Sequence, residues 1–200
     1  MKKLFFAALA LVLSLNANAQ FGIVGGVTST TGNIKEFSRN VKNMTQYHVG
    51  VAYKIPIGSF AIQPAIEYNV KGAKLGDVTG LGDLNFKTGY VEVPVQVQFG
   101  FDLEVVRPYV FAEPFVGYAV NNKITWEGIT ETGWDNVKQR FEYGVGLGLG
   151  VDIVKHLQLS VRYFWNMGSI YGADITFKSV TQTIYDTKCS GIAATLGFFF

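Results

Sequence analysis

Counting back from Phe200 in steps of two meets Phe198, Leu196, Ala194 and Ile192, so the last stretch of the sequence predicts a strand with one wholly apolar face. Such a strand needs a partner on each edge and an apolar surface to face, because an unsupported terminal strand frays in water. The same alternation recurs along the chain. Val91, Val93, Val95, Val97, Phe99 and Phe101 share one phase, opposite Glu92, Pro94, Gln96 and Gln98. Leu157, Leu159, Val161, Tyr163 and Trp165 oppose Gln158, Ser160, Arg162 and Asn166, while Ile62, Pro64, Ile66, Tyr68 and Val70 oppose Gln63, Glu67, Asn69 and Lys71. Eight stretches of this kind are predicted as strands: Phe21–Ser29, Gln46–Ile55, Phe60–Lys71, Gly89–Phe101, Arg107–Val120, Gln139–Ile153, Leu157–Ser169 and Cys189–Phe200.

The connections alternate in length. Pro56–Ser59, Asp102–Val106 and Val154–His156 are short, whereas Thr30–Thr45, Gly72–Thr88, Asn121–Lys138 and Ile170–Lys188 are long and polar. Tight turns at one end and long loops at the other are the asymmetry of a membrane-spanning barrel, and a soluble sandwich has no reason to sort its loops so strictly. The aromatic residues of the apolar phase are sorted by height. Tyr47, Tyr68, Tyr118, Phe141, Tyr143, Tyr163 and Trp165 lie next to long connections; Tyr53, Phe60, Phe99, Phe101, Phe198 and Phe200 lie next to short turns or the terminus. Between them the phase is aliphatic, as at Val95, Val97, Val145, Leu147, Leu149 and Leu159. Two aromatic girdles around an aliphatic band match the two interfaces of a bilayer, so the apolar phase is expected to face lipid.

The beginning of the sequence carries Lys2 and Lys3, an apolar run from Leu4 to Leu15, and the small-residue segment Ala17, Asn18, Ala19, which is the order of a cleavable export signal. Residues 1–19 are therefore expected to be removed and residues 20–200 to form one barrel domain. The apolar run is shorter than the about 20 residues that span a bilayer as a helix, so membrane attachment falls to strands. Of 17 basic and 15 acidic residues, two lysines lie in the leader, which leaves the exported chain formally neutral and argues against nucleic acid as a partner. The single cysteine, Cys189, cannot form an internal disulfide and is expected to be a small buried residue.

The leader, the first strand FGIVGGV from Phe21, the segment YVEVPVQVQFG at 90–100, the segment RPYVFAEPFVG at 107–117, the glycine-rich sixth strand and the ending LGFFF together resemble the PorT-like or porin-family outer-membrane β-barrel proteins of Bacteroidetes. That resemblance implies an all-β fold: a closed, antiparallel, eight-stranded, transmembrane up-and-down barrel of OmpA/OmpX-like architecture. It also implies the outer membrane of a Gram-negative bacterium, with both termini periplasmic, and a final aromatic strand that engages the barrel-assembly machinery during insertion.

Inside such a barrel the polar phase brings together Lys54, Glu67, Lys71, Glu92, Glu113, Glu142, Asp152 and Arg162, with His48, Gln63, Gln96, Gln98 and Asn166 among them. Eight strands leave an interior just wide enough for side chains to fill, so mixed signs predict a paired ionic plug rather than an open channel. Gly144, Gly146, Gly148 and Gly150 alternate strictly and lack the strand-to-helix spacing of a nucleotide loop; they are expected to make room for the inward rings of Tyr109, Phe111, Phe115 and Phe164. With only His48 and His156, and no nucleophile spaced to either, the chain is expected not to be an enzyme; no cofactor or metal set is recognisable. Trp126 and Trp134 in the third long connection are the candidate contacts to a protein partner, the alternative being that they pack the loop onto the barrel rim. Outer-membrane lipid and lipopolysaccharide are the remaining expected partners. The expectation is a monomer with a structural or surface-interaction role, its loops displayed on a rigid barrel. The rivals are a narrow pore for ions or small solutes and a soluble periplasmic, lipocalin-like ligand-binding barrel.

Overall fold

The computed structural model describes residues 20–33, 41–42, 44–75, 84–126, 129–132, 140–154, 156–168, 173–177, 180–184 and 188–200. The expected leader at 1–19 and Trp134 lie outside them. Eight long strands follow one another: β1 Gln20–Asn33, β2 Met44–Ile57, β3 Phe60–Leu75, β4 Leu84–Gly100, β5 Val106–Trp126, β6 Phe141–Ile153, β7 Leu157–Asn166 and β8 Lys188–Phe199. Each pairs antiparallel with its neighbours in sequence, and β8 returns to β1 from Gly22↔Phe199 to Asn33↔Lys188, which closes the sheet. Closure leaves no free edge, the condition for a sheet to stand in a solvent that offers the backbone no hydrogen bonds.

The short connections are tight and tied to one another. The β2–β3 hairpin turns through Gly58 and Ser59 between the paired Ile57 and Phe60, and Gly58 takes the left-handed φ of 61° that such a two-residue turn demands. At the same end Val154 N donates to Val105 O (2.8 Å), Gly100 N to Ser59 O (2.8 Å) and Phe199 N to His156 O (2.7 Å). The His156 ring shares a 2.8 Å hydrogen bond with Phe199 O, so the last turn holds the closing strand near its terminus.

Several strands run further than the hydrophobic alternation indicates. β5 continues to Trp126, where the sequence predicts connection from Asn121, and its end pairs with Ile129–Thr132. Ala173–Phe177 and Val180–Ile184 pair with each other inside the expected fourth loop. The physical reason is that backbone pairing of a hairpin does not need lipid; beyond the bilayer the outward side chains turn polar and the alternation signal disappears while the ladder persists. A register shift at Gly89/Tyr90 marks this change. It leaves Val120 and Asn121 both outward and brings Asn122 into the interior.

The two faces of the sheet are chemically opposite. Val27, Val49, Ile66, Val93, Val110, Leu147, Leu149, Val161, Ile192 and Leu196 are exposed on the outside, bounded by exposed Tyr47, Tyr118, Tyr143, Tyr163 and Trp165 towards the long connections and by Phe60, Phe99, Phe101, Phe198 and Phe200 towards the turns. Tyr53 and Tyr68 are half-buried. The inside holds the polar side chains together with Tyr109, Phe111, Phe115 and Phe164, all buried.

The glycines of β6 make room for these rings, with one exception. A Cβ at Gly144 would meet Phe115 Cε1 at 2.8 Å, at Gly148 Phe111 Cε1 at 2.7 Å, and at Gly150 the Tyr109 ring at 2.5 Å. At Gly146 the nearest atom would be 3.5 Å away, an ordinary contact, and the ring of Phe164 lies over Gly191 of β8 instead. Steric need therefore explains three of the four glycines. Gly148→Ala and Gly150→Ala are expected to cost about 1–3 kcal/mol through overpacking, whereas Gly146→Ala leaves the urea midpoint of the detergent-folded protein unchanged.

Candidate functional site

The interior is the densest collection of ionisable groups in the described chain. Because each strand turns alternate residues inward, cross-strand register decides which charges meet. Glycines then decide which charges reach past a neighbour. Gly117 of β5 pairs with Glu92 of β4 on one side and Glu142 of β6 on the other. A Cβ there would lie 2.9 Å from the Cγ atoms of both glutamates. Its absence lets the two carboxylates converge on one ammonium: Lys71 Nζ is 2.8 Å from Glu92 and 2.9 Å from Glu142. Asn69 donates to Glu92 at 3.1 Å and Asn166 donates to Glu142. The same ammonium sits 4.5 Å from the Phe115 ring centroid and 5.0 Å from that of Phe164, so its apolar neighbours also favour the cation.

A second layer lies one step towards the turns. Arg162 of β7 bonds to Glu113 of β5 and lies 3.5 Å from Glu67 of β3, bridging opposite walls, while Gln96 donates to Glu113 at 2.8 Å. Gly148 and Gly146 of the intervening β6 are the register partners of Arg162 and Glu113. The third layer is at the turn end. Lys54 pairs with Asp152, Arg107 reaches the same carboxylate at 3.1 Å, and Gln158 donates to its other oxygen at 2.9 Å. Gln63, Gln98 and Gln158 form an amide ladder between this layer and the second, with donor–acceptor distances of 2.9–3.0 Å.

All eight charged residues singled out from the sequence, Lys54, Glu67, Lys71, Glu92, Glu113, Glu142, Asp152 and Arg162, are buried and ion-paired across strands. Arg107, Asn69 and Gln158 belong to the same network and were not singled out. Their phase carries the signal: Arg107 alternates with Tyr109, Phe111 and Glu113, and Asn69 lies between Glu67 and Lys71. The glutamates are ion-pair members, with Glu92 and Glu142 sharing Lys71 and Glu113 taken by Arg162.

His48 has neither a serine nor a carboxylate as hydrogen-bond partner. Its Nδ1 is 2.9 Å from Thr28 Oγ1 and its Nε2 is 2.9 Å from Thr195 Oγ1. Gly26 pairs with both His48 and Thr195, so the imidazole crosses over a residue without a side chain to tie β2 to β8. Thr30 plays a similar part where the β2–β3 ladder is interrupted above His48↔Asn69, donating to Gly72 O and accepting Gly72 N–H at 3.2 Å. His156 is in the last turn, as described above. Trp126 ends β5 and Cys189 lies in β8, but the side chains of both fall outside the described residues.

The sequence matches the family described as "Outer membrane protein beta-barrel domain" over residues 13–172. Among solved structures, the chain is similar to Neisserial surface protein A, with 14% identity and a TM-score of 0.53 over 92% of this chain and 99% of that one. It is also similar to the outer membrane protein OprG from Pseudomonas aeruginosa, with 13% identity and a TM-score of 0.50 over 90% of this chain and 96% of that one. A search of the curated proteins finds no match. At these identities the structural likeness speaks for the fold.

The interior predicts a mutational signature. Arg162→Met leaves Glu113 and Glu67 facing each other without their cation and is expected to destabilise the barrel by about 3–5 kcal/mol. Adding Glu113→Gln and Glu67→Gln to it recovers most of that loss. Unfolding by urea in detergent, followed by tryptophan fluorescence, measures both; additive losses in the triple variant would show that the three groups do not act as a unit.

Proposed function

The chain belongs to the family of outer membrane protein β-barrel domains, and from that premise we propose that it is a monomeric barrel whose work is done at its outer end rather than through its interior. The observation that carries this reading is the plug: three layers of cross-strand ion pairs and amide bonds occupy the space through which a solute would pass. An interior so tied makes the strands a rigid support, and the polar extensions beyond the outer girdle are what it supports.

The proposed orientation places the turns and both termini in the periplasm and the long connections outside the cell. Short turns face the periplasm in outer-membrane barrels, and among the described residues strand pairing runs well past the girdle at the long-loop end, as where β5 pairs with Ile129–Thr132. The aromatic ending engages the barrel-assembly machinery during insertion, and a protein partner binds at the loops. The segments at 90–100 and 107–117 support the narrower PorT-like placement. Surface labelling tests the orientation. In a Cys189→Ala background, Asp135→Cys, in the long connection between β5 and β6, is expected to react with a membrane-impermeant maleimide on intact cells, and Ser59→Cys only after the outer membrane is opened. The reverse pattern would overturn the orientation, and recovery of the protein with soluble periplasm would overturn the reading as a whole.

A further inference from the structure

Cross-strand register sorts the outward face of β3, β4 and β5 into rows. The row Tyr68, Val91, Tyr118, Phe141 belongs to the outer aromatic girdle. Above it lies Val70, Gly89, Asn121, and above that Gly72, Lys87, Lys123, Thr132. The next row outward is Lys42, Lys74, Asn85, Thr125, Thr130. These three rows contain four lysine positions and no acidic one. Lys87 stands directly opposite Lys123, and Lys42 directly opposite Lys74. Like charges directly opposite on neighbouring strands destabilise a sheet unless something of opposite sign lies between them. Lys87 and Lys123 are both exposed, and no carboxylate among the described residues is ion-paired to either.

The height of the rows identifies what lies between them. Lys87 is four residues beyond Val91 of the girdle, about 13 Å along the strand and roughly 10 Å along the membrane normal at barrel tilt. The headgroup layer outside the hydrocarbon is about 5–7 Å deep, and a lysine stem bends several ångströms back towards it. The ammonium groups of Lys87 and Lys123 therefore stand at the level of lipid phosphates, facing the membrane and not the lumen. Exposed Asn121, one row nearer the girdle, adds a hydrogen-bond donor suited to phosphate oxygens.

We propose that the outward face of β4 and β5 just beyond the girdle is a binding site for the phosphate groups of a lipid headgroup, with Lys87 and Lys123 as a two-pronged clamp. That the lipid is the phosphorylated glycolipid of the outer leaflet rests on the orientation proposed above. The site fixes the barrel's depth and its rotation, since one side of the outer rim is held to lipid phosphates.

The test uses the full chain in dodecyl maltoside, a detergent without phosphate, titrated with diphosphoryl lipid A or with the same lipid after phosphate removal, and read by native mass spectrometry. The wild type is expected to retain the diphosphoryl form preferentially. Lys87→Gln with Lys123→Gln is expected to lower that retention about thirtyfold, each lysine near an anionic headgroup contributing about fivefold, and Lys87→Arg with Lys123→Arg is expected to keep it. Equal retention of the two lipids, or wild-type retention in the Gln variant, would overturn the proposal. Displacement by millimolar inorganic phosphate would make this a free-anion site and overturn the lipid assignment. If the Gln variant does not fold, salt decides: retention by the wild type must weaken as ionic strength rises, and a salt-independent value would refute the clamp. Micelles have no sides, so none of these results depends on the labelling that tests orientation.

Discussion

An outside that meets lipid obliges the chain to place its charged side chains either inward or beyond the membrane. Everything else in this barrel follows from the inward half of that obligation. The interior of an eight-stranded sheet is too narrow to hydrate its charges, and a buried charge without a partner costs several kcal/mol. The chain meets the cost by grouping its charges in threes: Lys71 lies between Glu92 and Glu142, Arg162 between Glu113 and Glu67, and Asp152 between Lys54 and Arg107. Each group joins strands that are not adjacent in the ladder, so the side chains cross-brace a tube that the backbone closes only around its circumference.

Glycine is the means of that bracing. Adjacent strands are bonded already; a brace between next-nearest strands has to pass over the one between. Gly117 under the Glu92–Glu142 approach and Gly26 under the reach of His48 to Thr195 are places where a methyl group would stand in the way. The glycines of β6 serve packing instead, giving room to the rings of Phe115, Phe111 and Tyr109. Small residues in this barrel are thus chosen by what crosses them, and Gly146, which nothing crosses closely, is the exception that shows the rule is geometric.

The fold was legible in the sequence because the lipid contact writes a period of two that no other environment writes so plainly. Strand number, the inward phase and the two girdles were readable from residues such as Val91–Phe101 and Leu157–Trp165. Strand ends were not, since Asn121–Trp126 and Ile129–Thr132 pair through backbone groups while their side chains carry no alternation in polarity. The interior charges could be named but not paired: sequence shows that Glu92 and Glu113 share a phase, and only register shows that Gly117 turns Glu92 towards Glu142 and leaves Glu113 to Arg162. Arg107 stands at the start of its strand, where the alternation gives its side chain little context, and only the register with Asp152 brings it into the network. The opposed Lys87 and Lys123 beyond the girdle are likewise a product of register, invisible in an overall formal charge of only +2.

The central claim is that paired charges close this barrel to ions as well as hold it together. Single-channel recording of the purified protein in a planar bilayer in concentrated potassium chloride tests it most directly. The account predicts a quiet membrane for the wild type, with current steps arising only when Arg162→Met or Lys71→Met removes the cation from a layer. Discrete steps from the wild type, with a selectivity that follows charge reversal at Glu92 or Arg162, would contradict it and make the polar interior a path rather than a brace.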